Sequence, residues 1–87
     1  MTNKDIRKVF NIPEKNLLLL VLQNVNLKDK ELQILELCFM NGLTEEEASE
    51  ELNISVNGLQ KIKRKAVEKV KKQWTNNSII DMILNRE

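Results

Sequence analysis

The sequence predicts an all-α fold: a small helical domain built on a helix-turn-helix, with extra helices at both ends. Three observations predict it. The 87 residues hold only two glycines and one proline and are rich in Leu, Ile, Glu and Lys, a composition that favours helix. Long apolar residues recur at helical spacing, and no stretch shows sustained strand alternation. Helix stop and start signals fall close together at Gly42–Thr44 and again at Asn53–Ser55. A chain of this length buries a modest core, so one domain over residues 1–87 with short, closely packed helices is expected. It divides into N-terminal helices (1–26), a helix-turn-helix core (27–74) and a C-terminal helix (75–87).

The first helix is expected over Asn3 to Phe10, with Ile6, Val9 and Phe10 on one side. A second should run from Pro13 to about Gln23, because proline suits a first helical position, whose N–H has no partner. Its Leu17, Leu18, Leu20, Val21 and Leu22 make it apolar nearly all round. That fits a central core helix or an oligomer contact, and the core reading is preferred. The third helix, about Lys28 to Asn41, has Leu32, Ile34, Leu35, Leu37, Cys38 and Phe39 for its inner side. Gly42 should end it in a left-handed conformation that costs no Cβ clash.

Thr44 and Glu47 have the spacing of a capping box for the next helix, and Glu45 and Glu46 suit its positive end. Asn53, which tolerates a left-handed turn, should close it. Ser55 then caps a longer helix ending near Gln73 or Trp74. Leu59, Ile62, Ala66, Val67 and Val70 fall on one face of it. Asn57, Lys61, Arg64 and Glu68 fall on the other, flanked by Gln60 and Lys65. Lys63 lies near the apolar arc, so its stem should run along the core edge. Asn76, Asn77 and Ser78 form a break, and a last helix is expected from Ile79 to about Asn85.

Charge is near balance overall but polarised along the chain. Met1 to Asn53 carries six bases against ten acids; Ile54 onward carries eight bases against three acids. Such a chain presents one surface to a polyanion and another that repels it. The acids Glu45, Glu46, Glu47, Glu50 and Glu51 read first as capping and solubility, and second as a partner surface. The sequence has no histidine, the commonest metal ligand and neutral-pH general base. Cys38, the single cysteine, forms no internal disulfide and is expected to be buried between apolar neighbours. There is no glycine-rich phosphate loop and no cysteine pair for metal. An enzyme is therefore not expected, nor a cofactor, nor a bound metal. No signal peptide opens the chain and no apolar run is long enough to span a bilayer, so the expected location is cytoplasmic, away from membrane.

Two helices at a fixed angle, the second of them basic, suit duplex DNA, where one helix crosses the backbone and the other enters the major groove. Here Asn53, Ile54 and Ser55 form the turn, and Ile54 should plug the angle between the helices. Ser55, Asn57, Gln60 and Lys61 come early and are placed to meet DNA first. Asn and Gln suit adenine, and Lys suits guanine. Arg64, Lys65, Lys71, Lys72 and the other late lysines are better placed for phosphates, which position a protein and make binding fall with salt.

The stretch from Leu27 to Val70 resembles region 4 of bacterial sigma factors, the part that reads promoter DNA. The resemblance is carried by Leu27, Ile34, Leu35, Leu37 and Phe39 before Gly42–Leu43–Thr44, then Glu46, Glu47, Ala48 and Ser49, then Leu52, Asn53, Ile54 and Ser55, and finally Ala66. Asn53 stands where the family usually has Gly, and Gly58 where it often has Thr. Its usual apolar position falls at Lys63, with Ile62 apolar one step earlier, a pattern more similar to small phage late-gene transcription activators. The resemblance implies a transcription regulator, and contact with RNA polymerase through Lys28–Leu43 or the acidic neighbours. The length excludes a whole sigma factor, which leaves a stand-alone sigma-4-like protein or a cut-out fragment; a stand-alone regulator, phage or mobile-element encoded, is the expectation. Two other readings remain open. One is an interaction module that binds RNA polymerase, a sigma factor or itself, with weak DNA binding. The other is a small phage DNA-packaging subunit in a ring-sized homo-oligomer.

Overall fold

Thr44 and Ser55 cap helix N-termini as their spacing predicts, and Thr2 and Asn77 cap two more. The computed structural model describes residues 1–86, and among these it contains helices and no strand. Helix α1 spans Asn3–Phe10, and Thr2 and Asp5 cap it reciprocally: Thr2 Oγ1 accepts from the Asp5 N–H at 3.2 Å and Asp5 accepts from the Thr2 N–H at 3.0 Å. Ile6, Val9 and Phe10 are buried, as their spacing predicts.

Helix α2 spans Lys15–Gln23, so Pro13 is not its first residue. Ile12 is drawn into the core at 5% exposure, and the chain turns into helix only after the proline. The expectation that α2 is a central core helix needs correction. Leu18 and Val21 are buried, but Leu19 and Leu20 remain 58% and 47% exposed. Only one side of α2 is buried, and the other stays at the surface.

The single helix expected over Lys28 to Asn41 is two pieces. Helix α3 spans Asp29–Leu35, and a wider π-helical turn follows over Glu36–Met40. The Asn41 N–H reaches the Glu36 carbonyl at 2.9 Å, one residue further back than in an α-helix. The Asn11 side chain of α1 donates to the Phe39 carbonyl at 2.8 Å, so part of the bonding of this turn is supplied from outside. Cys38 and Phe39 are both buried here, and burial raises the pKa of the Cys38 thiol, as suits a structural cysteine. Gly42 follows with φ +71°, the left-handed stop expected of it.

Helix α4 spans Glu45–Glu51. Thr44 Oγ1 accepts from the Glu47 N–H at 3.1 Å, and Glu47 accepts from the Thr44 N–H at 3.0 Å. That backbone donor, with the Thr44 hydroxyl, lowers the Glu47 carboxyl pKa. Thr44→Ala should cost about 1 kcal/mol, a fall in Tm of roughly 4–8 °C for a chain of this size, measured by thermal melting in far-UV circular dichroism. An unchanged Tm would mean that the cap contributes nothing.

Helix α5 spans Val56–Trp74 and α6 spans Ser78–Leu84, the latter capped by Asn77 Oδ1, which accepts from the Ile79 and Ile80 N–H groups. The core forms where α5 packs on α3, with α1 laid against the π-helical turn and α6. Phe10 lies between Phe39 and Trp74, with ring centroids 6.2 Å and 5.9 Å away. Trp74 Nε1–H donates to the Val21 carbonyl at 3.2 Å, so the one tryptophan joins α2 to the end of α5. The two ends of the chain also meet. Lys8 Nζ donates to the Leu84 and Arg86 carbonyls at 2.9 and 3.1 Å, and Arg86 pairs with Glu14. Lys8 thus offers positive charge to the C-terminal end of α6. Among the described residues no helix is long and apolar enough to cross a membrane.

Candidate nucleic-acid interface

The angle between α4 and α5 is set by a short, fully bonded turn. Asn53 has φ +55°. Its N–H reaches the Glu50 carbonyl at 3.1 Å, and the Ile54 N–H reaches the Ser49 carbonyl at 3.0 Å. These are the two bonds of a Schellman ending, which requires a left-handed residue at the site of Asn53. Asparagine adopts that conformation at low cost, so the turn forms without a glycine. Leu52 and Ile54 sit half-buried against the core, and Ile54 fills the corner as its place in the sequence predicts. Ala48, fully buried, lets α4 approach α5 closely.

Ser55 opens α5 by accepting the Gly58 N–H at 3.0 Å. A Cβ on residue 58 would stand 3.0 Å from that same hydroxyl, so glycine keeps the first turn uncrowded at a position where a side chain would press on the cap. Beyond the cap, Asn57, Lys61, Arg64, Lys65 and Lys72 are exposed, and Lys71 is half-exposed. Asn57, Lys61, Arg64, Glu68 and Lys72 recur at three- and four-residue steps, as the exposed face of one helix. Glu68 is an acid within this row of bases. Among the described residues, none of Lys61, Arg64, Lys65, Lys71 and Lys72 is within ion-pair distance of a carboxylate.

Gln60 lies differently from the others. Its Nε2 donates to Glu45 Oε1 at 3.2 Å, across the helix pair. Lys63 reaches the second oxygen of the same carboxylate at 3.3 Å while its ammonium sits 5.5 Å from the centre of the Phe39 ring. Lys63 therefore runs along the core edge, as predicted. The Gln60 amide and the Lys63 ammonium lower the Glu45 carboxyl pKa against the opposing effect of burial. Glu45 thus belongs to the joint between α4 and α5, separate from the exposed acids Glu46, Glu47, Glu50 and Glu51.

Lys69 was expected among the phosphate-facing lysines, and it is turned into the protein instead. Its Nζ donates to Glu31 Oε1 at 2.8 Å and to the Asn26 carbonyl at 3.1 Å. Glu31 is 4% exposed and also accepts the Lys28 N–H at 2.8 Å. Burial raises its pKa, but the Lys69 ammonium and the Lys28 N–H together outweigh burial and hold it below the ordinary value. The Glu31 position at the start of a helix signals a cap; nothing in the local sequence signals Lys69 as its partner.

The family model for sigma-70, region 4 matches residues 25–72, more than half of the chain, and the chain belongs to that family. The matched segment begins just before α3 and ends within α5, leaving α1, α2 and α6 outside it. The family is a non-enzymatic, DNA-binding helix-turn-helix of transcription, and this chain's role is of that regulator type. Neither a curated protein nor a solved structure matches the chain.

Proposed function

We propose that the protein regulates transcription by reading duplex DNA with the exposed face of α5. Ser55, Asn57 and Lys61 stand nearest the base edges. Gln60 joins them with the amide hydrogen and carbonyl that Glu45 leaves free. Arg64, Lys65, Lys71 and Lys72 bind phosphates. The observation that carries this reading is the division of labour among the cations of α5. Lys63 and Lys69 are engaged by carboxylates of the protein, while Lys61, Arg64, Lys65, Lys71 and Lys72 have none in reach among the described residues. A helix so arranged keeps its free charge for a polyanion.

Fluorescence anisotropy of mixed-sequence duplex DNA, repeated across salt concentrations, tests it. Binding should weaken linearly in log–log form, with a slope of about 0.9 for every phosphate contacted. Lys61→Ala/Arg64→Ala should lower the slope by up to about 2 and weaken binding about 5- to 30-fold near 0.15 M salt. An absence of binding at low salt would overturn the reading and favour the interaction module.

RNA polymerase is the second partner we propose, because region 4 domains act on the enzyme as well as on DNA. The acids Glu47, Glu50 and Glu51, exposed around a shallow groove that Leu43 also lines, supply a surface for it. Purified core polymerase should retain the protein in a pull-down, and Glu50→Lys/Glu51→Lys should abolish retention without weakening DNA binding. Failure of core polymerase to retain the wild type, with or without promoter DNA, would remove this partner.

A further inference from the structure

The sequence places nearly all free positive charge on α5, because the first part of the chain is acidic in sum. The fold redistributes it. Three of the six bases in that first part, Lys4, Arg7 and Lys8, lie on α1, and α1 packs beside the helix-turn-helix. Two separate contacts join the basic side of α5 to α1. One is an open surface groove in which Asn3 of α1 faces Gln60, Lys63, Arg64 and Lys71 of α5. The other is the Phe39 ring, which carries the Lys63 ammonium at 5.5 Å and the Arg7 guanidinium at 5.7 Å. Within α1, Asn3 and Arg7 are four residues apart and Lys4 and Arg7 three apart, so they are neighbours on the helix surface.

We infer that α1 is a second phosphate-contacting element, and that Lys4 and Arg7 continue the DNA surface of α5 across the Asn3–Lys71 groove. The row runs from Lys61 and Arg64 over Lys71 to Arg7 and Lys4. The acids along it leave it positive. Glu45 is neutralised by Lys63, Asp5 is held in the α1 cap by Thr2, and Glu68 alone faces the groove without a cation in ion-pair reach among the described residues. Lys8 is not part of the row, since it is spent on the α6 carbonyls. Lys4 and Arg7 are exposed, and neither lies within ion-pair distance of an acid among the described residues. In that groove α5 supplies the cations and α1 supplies Asn3, with Lys4 and Arg7 beside it on the α1 surface; a sugar-phosphate strand that reaches both helices is held from two directions. This site lies outside the segment that the family model matches. It would lengthen the footprint beyond what α5 alone covers.

The inference rests on the DNA-reading role of α5, and the test separates the two. Salt-dependent anisotropy would compare the wild type, Lys4→Ala/Arg7→Ala on α1, Lys61→Ala/Arg64→Ala on α5, and Lys30→Ala, an exposed lysine of α3 that takes no part in the groove. The α1 pair should lower the salt slope by about 1–2 and weaken binding about 5- to 30-fold near 0.15 M salt, with Lys30→Ala unchanged. Arg7 also stacks on Phe39, so thermal melting accompanies each variant, and Lys4→Glu provides a version that leaves the ring contact untouched. If the α5 pair weakens binding while both α1 variants match the wild type, the inference fails and the α5 reading stands. If neither pair changes binding, or the wild type does not bind, the α5 reading fails and the inference with it. A loss in the α1 variants equal to that in Lys30→Ala would reduce the effect to net charge and overturn the proposal.

Discussion

Trp74→Ala should cost about 3–5 kcal/mol, a large share of the roughly 5–15 kcal/mol that holds a small domain together. The side chain is 1% exposed and lies 5.9 Å from Phe10, which in turn stacks near Phe39. Truncation would open a cavity where Phe10 of α1, Phe39 of the π-helical turn and the end of α5 meet. It would also leave the Val21 carbonyl without the indole donor that reaches it at 3.2 Å. Trp74→Phe fills most of the volume and removes only that bond, so it should cost about 1 kcal/mol for the bond plus a smaller packing loss. Urea unfolding followed by far-UV circular dichroism would measure both. If Trp74→Ala cost less than about 1.5 kcal/mol, the aromatic trio would not be what fastens α1 to the helix-turn-helix. The orientation of α1 beside the basic groove would then have another cause.

The contrast between Trp74 and Ser55 shows what the sequence makes legible. Ser55, Thr44, Gly42 and Asn53 act within a few residues of themselves, and each signal was readable because cap and turn geometry depends on local spacing. The exposed face of α5 was readable for the same reason: helical period assigns Asn57, Lys61 and Arg64 to one side whatever lies across from them. Trp74 was readable only as a helix end. Its role depends on Phe10 and Val21, both more than fifty residues earlier in the chain. Lys69 looked like one more solvated lysine because Glu31, its partner, lies on another helix. Gln60 looked free to meet a base, and Glu45 takes one of its hydrogens from the neighbouring helix. The apolar run of α2 misleads for a related reason. Composition says how much apolar surface a helix has, and only the tertiary arrangement says how many sides of it are covered; Leu19 and Leu20 are left outside.

Lys69→Met should destabilise the protein by about 2–3 kcal/mol at neutral pH, and the loss should shrink as the pH falls. The variant keeps the length and apolar stem of the side chain but removes its charge. Glu31, with its side chain 5% exposed, would retain only the Lys28 N–H. A fully buried pair broken this way costs about 3–5 kcal/mol, and the partial exposure of Lys69 lowers that. The pH dependence follows from the sign of the Glu31 shift. In the wild type its folded pKa lies below the ordinary 4.5, so its stabilisation is present above that value and is lost as pH falls through the lower folded value. Without the ammonium, burial becomes the dominant influence and the folded pKa rises above the ordinary value. The variant then gains stability relative to its neutral-pH value as acid protonates Glu31. Wild type and Lys69→Met should therefore converge in stability below about pH 4 and diverge above about pH 6. Asp5, Glu14, Glu45 and Glu47 also have lowered pKa values and add to the acid limb of both proteins, so the difference between the two curves isolates Glu31. Glu31→Gln/Lys69→Met should recover part of the loss at neutral pH, because no unpaired charge remains buried. Urea midpoints across pH would give all three curves. A destabilisation by Lys69→Met that is the same at pH 3.5 and pH 7 would show that Lys69 acts through its bond to the Asn26 carbonyl, with the buried carboxylate of Glu31 contributing nothing.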